Sequence, residues 1–165
     1  MFILLTSRLN LLLDTITSRC QTIKFKPYSH QELKQLFEQS KYQSMDLLSD
    51  SEVLKNLIYL SNGSPGKLLN NFEIWNQIPE NIKDDIKFPL KNYKNILLLA
   101  KNITSNLDLN QQEFILNYMQ RYWWEKTRDK KLAEILENIK NNINSNVQPR
   151  ISWEVGLLKI KLEES

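Results

Sequence analysis

The sequence predicts a mainly α-helical protein, in which one or two strands at the N-terminal end precede two bundles of helices. Two observations support this prediction. Apolar residues recur at helical spacing from about residue 30 onwards, whereas strand-like patterns are confined to the first 25 residues. Of the 165 residues 41% are hydrophobic, so the chain can bury a core.

The first predicted strand covers residues 2–6, a continuous apolar run that ends at Thr6. Such runs are typical of strands buried on both faces of a parallel sheet. A second strand is predicted over 21–25, where Ile23 and Phe25 share one face, and Pro27 ends it. A short apolar turn between the two strands leads to Ser18-Arg19-Cys20.

The first bundle is predicted to contain three helices. Ser29 and Glu32 have the spacing of a capping box, which marks a helix start. Ser64 is a suitable N-cap and Pro65 suits the first helical position, while Gly63 and Gly66 flank this turn. The three helices are expected at about 30–40, 50–61 and 64–77.

Pro79 and the polar stretch around Asp84-Asp85 indicate a boundary between the two bundles. Beyond it, Pro149 is predicted to begin the last helix. The helices of the second bundle are expected at about 92–105, 110–126, 128–144 and 149–163.

Composition excludes several classes of function. Cys20 is the only cysteine, so no internal disulfide and no cysteine-based zinc site can form, and a reducing, cytoplasmic setting is expected. His30 has no second histidine for a metal site, and no metal is expected. The apolar runs fall short of a membrane span. A net charge of +3 is too small to predict nucleic-acid binding by itself.

The stretch Gly63-Ser64-Pro65-Gly66-Lys67 superficially suggests a phosphate-binding loop. A Walker A loop requires four residues between its glycines and a Ser or Thr after the lysine. Here two residues separate the glycines, and Leu68 follows Lys67. With three glycines in the whole chain, we expect no nucleotide site of this kind.

Residues 6–20 resemble the segment between sensor 1 and the Ser-Arg-Cys motif of clamp-loader AAA+ proteins, most closely the delta-prime subunits of bacterial DNA polymerase III. The resemblance places Thr6 and Ser7 at sensor 1. It makes Arg19 an arginine finger that acts on ATP held by a neighbouring subunit, with Ser18 and Cys20 beside it in the motif. Cys20 is expected to be a small packing residue. This chain departs from the family in having Arg8-Leu9 where Asn-Pro is usual, and Asp14 where a proline is usual.

The resemblance also divides the chain into domains and covers only the C-terminal half of such a subunit, as in a truncated reading frame or a fragment. Residues 1–27 would be the remnant of an AAA+ nucleotide-binding core, 28–78 a helical lid and 79–165 a helical collar. The segment Gly63-Ser64-Pro65-Gly66 resembles the start of the sensor 2 helix. Gly66 stands where hydrolysing subunits carry an arginine, which implies that this chain does not itself catalyse hydrolysis.

The implied role is that of an accessory subunit in a hetero-pentameric clamp-loader ring, which meets the sliding clamp and primer–template DNA through the complex. ATP and Mg²⁺ would then be held by the neighbouring subunit, with no cofactor bound by this chain. Tyr122-Trp123-Trp124 lies among cations, and core or interface packing is favoured over base stacking. Two alternatives remain: the C-terminal part of an active tau/gamma-like ATPase, or a helical interaction protein with no role in replication.

Overall fold

The computed structural model describes residues 2–6, 8–39 and 51–163, with only the backbone of Ser51. A 3₁₀ turn at Leu9–Leu11 opens the regular structure. Everything regular that follows in the described ranges is α-helical, which confirms the mainly helical prediction. The helices are α1 (Asp14–Thr17), α2 (His30–Glu38), α3 (Ser51–Leu60), α4 (Pro65–Gln77), α5 (Glu80–Asp85), α6 (Tyr93–Asn106), α7 (Leu109–Thr127), α8 (Lys130–Asn144) and α9 (Pro149–Glu163).

The two predicted strands are not formed. Neither 2–6 nor 21–25 adopts strand structure, and the side chains of Phe2 and Phe25 are 100% and 87% exposed. A strand requires a neighbouring strand for its backbone hydrogen bonds, and the described residues provide none. The apolar pattern at these positions was identified correctly, but it does not produce a strand where no partner lies beside it.

The helix starts follow their predicted caps. Ser29 and Glu32 form the capping box of α2, and the hydroxyl of Ser64 accepts a hydrogen bond from the Lys67 N–H at the start of α4. Helix α5 was not predicted, because its six residues are mostly polar. Ile82 is nevertheless fully buried, so this segment is packed against the body of the molecule.

Helices α2, α3 and α4 pack against one another, with the rings of Phe37 and Phe72 meeting edge to face at 5.0 Å. Helices α6 to α9 form the second group, in which α9 lies between α6 and α8. Gly156 allows α9 to approach α8 closely, because a Cβ atom there would lie 2.3 Å from the Ile139 side chain. The Trp153 indole N–H donates to Gln112 Oε1 at 3.0 Å in this core.

The two groups of helices share one continuous core. Helix α7 contacts both α3 and α4, and the rings of Trp75 and Tyr118 lie 4.4 Å apart across this junction. The Trp123 indole N–H donates to the Ile86 carbonyl at 2.9 Å, which ties the segment after α5 to α7. None of the helices in the described ranges has the length and apolar character needed to cross a bilayer.

Candidate functional site

Arg19 lies in the turn that follows the single-turn helix α1. Backbone hydrogen bonds shape this turn, with the Arg19 N–H donating to the Ile16 carbonyl at 3.1 Å and the Cys20 N–H to Thr17 at 3.3 Å. The Arg19 side chain is exposed, and its guanidinium forms no hydrogen bond or ion pair with any described residue. The positive charge of Arg19 is therefore exposed to solvent and stabilises no described contact of the fold.

The other residues of the predicted motif make local contacts. Thr6 Oγ1 accepts a hydrogen bond from the Arg8 N–H at 3.0 Å, and Ser18 Oγ lies 3.5 Å from the Thr15 carbonyl. Cys20 is exposed, so it does not have the packing role within the chain that the sequence led us to expect. Ser7, the remaining member of the predicted motif, lies outside the described residues.

Gly63, in the turn between α3 and α4, and Gly66, in the first turn of α4, differ in the space that their neighbours leave for a side chain. Gly63 has a φ of +77°, and a Cβ atom at this position would lie 2.5 Å from Pro27 Cβ. Its carbonyl accepts a hydrogen bond from the Tyr28 N–H at 3.0 Å. Gly66 has no atom within 4 Å of an added Cβ, so packing does not demand glycine there.

The structure does not bring the Arg19 turn and the Gly63-Ser64-Pro65-Gly66 turn together through side chains. Among the described residues no hydrogen bond or ion pair joins them. The N-terminal segment instead reaches the helical body at Pro27 and Tyr28, which lie against Gly63.

A cluster of aromatic and charged side chains on α3 and α7 was missed by sequence reasoning. The Arg121 guanidinium lies 3.6 Å from the centroid of the Tyr59 ring and pairs with Glu125. Lys55 Nζ also reaches Glu125, at 3.4 Å. The i,i+4 spacing of Arg121 and Glu125 was a visible signal, but their distance from Tyr59 in sequence concealed the cluster.

The pKa of the Glu125 carboxyl is lowered, although several effects compete. Burial alone would raise this pKa, but the positive charges of Arg121 and Lys55, together with the hydrogen bond from Lys55, outweigh it. On the same face Lys126 pairs with Glu52 at 2.7 Å. Charge pairs therefore connect α3 to α7 at this surface.

The three consecutive aromatic side chains of α7, at positions 122 to 124, lie in different environments. Trp123 is buried and Tyr122 stacks on Tyr118 with ring centroids 6.0 Å apart. Trp124 is only partly buried, and the guanidinium of Arg128 lies 5.8 Å from its ring. Core packing thus accounts for Trp123, while Trp124 remains accessible.

Helix α9 is apolar on two faces. Trp153, Leu157 and Ile160 are buried in the bundle. A second row leaves Ile151 50% and Val155 47% exposed at the 4-3-4 spacing typical of helix–helix seams. The members of this row, which we call the α9 stripe, are Ile151, Val155, Leu158 and Leu162.

Among the described residues no group of three potential metal ligands lies together. His30, the one histidine of the chain, is exposed at the start of α2. Its ring centroid lies 6.1 Å from that of Tyr59.

Comparison with known proteins gives one match. Residues 31–160 match the family model described as "Cyanobacterial DNA polymerase III delta prime, C-terminal domain". The match begins in α2 and ends within α9, so it excludes the Arg19 turn. Searches of the curated proteins and of the solved structures find no match.

Proposed function

Because the chain belongs to the family of the DNA polymerase III delta prime C-terminal domain, and hence to the clamp-loader proteins, we propose that it supports ATP-driven loading of the sliding clamp onto primed DNA. In this proposal it is one subunit of a hetero-pentameric ring. Residues 1–27 carry the arginine finger, 28–78 act as a lid and 79–165 form part of a helical collar. Arg19 reaches ATP and Mg²⁺ that the neighbouring subunit holds.

The observation that supports this proposal most directly is the exposed guanidinium of Arg19, which has no hydrogen-bonding partner among the described residues. A guanidinium is planar and permanently charged, and it donates hydrogen bonds in pairs to phosphate oxygens. Because Arg19 has no side-chain partner among the residues that the structure describes, it breaks no contact with them when it reaches a phosphate. An arginine supplied in trans accelerates phosphoryl transfer by roughly 10³–10⁵-fold in GTPases.

Gly66 supports assigning hydrolysis to the neighbour. The space around this residue is open, so the absence of an arginine is not imposed by packing. The turn also lacks the spacing of a phosphate-binding loop. In the proposed arrangement this chain contributes a cation to the reaction, and the nucleotide belongs to the adjacent subunit.

The α9 stripe supports assembly through the collar. Burying a Val, Leu or Ile side chain contributes about 1.5–3 kcal/mol relative to full exposure. Covering the half-exposed stripe with a neighbouring helix would therefore stabilise an assembly by several kcal/mol, before the cost of association is subtracted. We place the neighbouring collar helices on this stripe.

The test is to measure ATP hydrolysis by the assembled clamp loader with the substitution Arg19→Ala. Single-turnover kinetics on primed DNA resolve the site that faces this subunit, and its rate is expected to fall by about 10³-fold or more. Arg8→Ala is the matched control, since Arg8 is an exposed arginine of the same segment. It should leave hydrolysis unchanged.

Assembly must be followed in the same samples by size-exclusion chromatography. Val155→Asp is expected to prevent incorporation of the subunit, because a carboxylate in the α9 stripe cannot be buried cheaply. Arg19→Ala should instead assemble normally. If the Arg19→Ala complex assembles and hydrolyses ATP at every site as fast as the parent, the proposed finger role is wrong.

A further inference from the structure

Two open clefts meet at Tyr59, on the surface where α3 approaches α7. The first is lined by Pro27, Tyr28, Ser29 and His30 as well as Tyr59. The second has a volume of about 450 Å³, within the usual range of about 300–1,000 Å³ for ligand sites. Its polar lining includes the side-chain amides of Asn62, Asn117 and Gln120, together with Arg121 and Trp124.

Aromatic side chains and two arginines lie together at and beside these clefts. His30 lies beside Tyr59, Arg121 lies over the Tyr59 ring, and Arg128 lies beside Trp124. We call this row the Tyr59 strip; its members are Tyr28, His30, Tyr59, Arg121, Trp124 and Arg128. Tyr28 and Tyr59 are 46% and 44% exposed, so their rings are accessible to a ligand.

The charges around the strip are not equivalent. Glu125 neutralises much of the charge of Arg121 and Lys55. Arg128 is exposed and forms no salt bridge within the described part of the chain, although its charge also acts on the Glu125 carboxyl and helps to lower its pKa. The strip therefore offers an exposed cation next to a partly exposed indole. This pair suits a ligand that combines an aromatic ring with a negative charge.

We propose that the Tyr59 strip binds single-stranded DNA, with one base stacked on Trp124, a second base against the part of the Tyr59 ring that Arg121 leaves exposed, and a phosphate at Arg128. Aromatic platforms bordered by cations bind single strands because every unpaired base offers a π-face, while the backbone is attracted by positive charge. Asn117 Oδ1 already accepts a hydrogen bond from Lys140, and Gln120 Nε2 donates to the Ala133 carbonyl. The remaining amide atoms of the second cleft can bond to the edges of an unstacked base. In duplex DNA the base faces are covered by their neighbours, so single strands should be preferred.

None of the residues of the strip belongs to the Arg19 turn, and the inference does not depend on the proposed finger role. The inference is also compatible with the small net charge of the chain. A local arrangement of stacking rings and one open cation can bind a strand even though the net charge of +3 predicts no binding.

The test is to titrate the full 165-residue chain with a 15-nucleotide oligo-dT at low salt and to record tryptophan fluorescence. Trp75, Trp123 and Trp153 are at most 5% exposed, so quenching would report mainly on Trp124. We expect saturable quenching and a preference for the single strand over a duplex of the same length. Binding should weaken with added salt.

Three strip variants and two control variants localise the site, with binding measured by the anisotropy of a labelled oligo-dT. Trp124→Ala and Tyr59→Ala are each expected to weaken binding about tenfold, within the range for loss of one base–aromatic stack. Tyr93→Ala is the control for Tyr59→Ala, since Tyr93 is 48% exposed but lies outside both clefts. Arg128→Gln should reduce the salt slope by about 0.7, whereas Lys101→Gln on α6 should not change it. Circular dichroism confirms that each variant is folded.

Two results would overturn the proposal. The first is the absence of binding to oligo-dT at low salt. If the Trp124→Ala chain then also fails to join the assembled complex, the strip is assigned to a protein partner instead. The second is binding that the Trp124, Tyr59 and Arg128 variants retain in full.

Discussion

The N-terminal segment, residues 2–28, and the helical body from α2 to α9 contain similar apolar side chains in opposite environments. Phe2, Leu5 and Phe25 are more than 80% exposed, whereas Leu33, Ile103 and Trp153 are fully buried. A helix satisfies its backbone hydrogen bonds internally, but a strand requires a neighbour. An apolar run therefore forms a strand only where another strand lies beside it and pairs with its backbone.

Pro27 and Tyr28, at the end of the N-terminal segment, contact Gly63 of the helical body. The Tyr28 N–H donates to the Gly63 carbonyl, and Pro27 lies against Gly63 so closely that a side chain would not fit. The Arg19 turn precedes this contact in the chain, and Arg19 is exposed. We infer that Arg19 can be aligned by a neighbouring subunit without disturbing the core of the helical body.

The largest expected difference between the regions is their response to truncation of an aromatic side chain. Trp153→Ala should lower the free energy of unfolding by about 3–5 kcal/mol, because it leaves a cavity and removes the buried hydrogen bond to Gln112. Phe25→Ala should change it by no more than about 0.5 kcal/mol, as for an exposed position. Urea denaturation followed by far-ultraviolet circular dichroism measures both values.

Phe2→Ala is a second exposed variant and should behave like Phe25→Ala. A loss of more than about 2 kcal/mol in either exposed variant would show that the N-terminal segment is part of the cooperative core. The distinction between the two regions would then be wrong.

The contact at Gly63 is tested by comparison with Gly66 in the first turn of α4, and opposite effects on stability are expected for the two glycines. Gly63→Ala should destabilise the protein by at least about 1 kcal/mol, because the positive φ disfavours a side chain and Pro27 blocks the space. Gly66→Ala should stabilise it by up to about 1 kcal/mol, because glycine is a poor helix former and the site is open. Thermal melting distinguishes the two, and equal shifts would contradict the described turn.

The smallest effect concerns the charge pairs between α3 and α7. Because the pKa of Glu125 is lowered from its ordinary value of 4.5, its ionised form stabilises the folded state fully above that value. The contribution is lost as the pH falls from 4.5 through the lowered pKa. Glu125→Gln and Lys55→Gln should therefore each reduce the acid dependence of stability below pH 5, measured by urea denaturation at a series of pH values. Acid dependence identical to that of the parent protein would contradict the assigned pairing.

Much of the helical body could be predicted from sequence because local signals specify it. Ser29 with Glu32 predicted the start of α2, and Ser64 with Pro65 predicted that of α4. Helix α5 was missed because Ile82 becomes buried only through tertiary packing. The apolar runs at 2–6 and 21–25 were identified, but the lack of a pairing strand could not be deduced from their pattern.

The candidate sites, too, could be predicted from sequence only where local signals specify them. The motif around Arg19 was visible in the sequence, yet the exposure of Cys20 depended on what packs nearby. The contact of Arg121 with Tyr59 joins residues far apart in sequence, and no local spacing predicts it. The finger role of Arg19 and the role of the Gly63-Ser64-Pro65-Gly66 turn remain predictions.

The central claim is that the helical body folds by itself, while the Arg19 segment becomes ordered only against a neighbouring subunit. Amide hydrogen exchange, measured on the chain alone and on the assembled clamp loader, tests it most directly. We predict slow exchange in α6 to α9 in both states, and exchange across residues 2–25 that is fast in the isolated chain and slow in the complex. Slow exchange at Ile3 to Leu5 in the isolated chain, or fast exchange around Arg19 in the complex, would contradict the account.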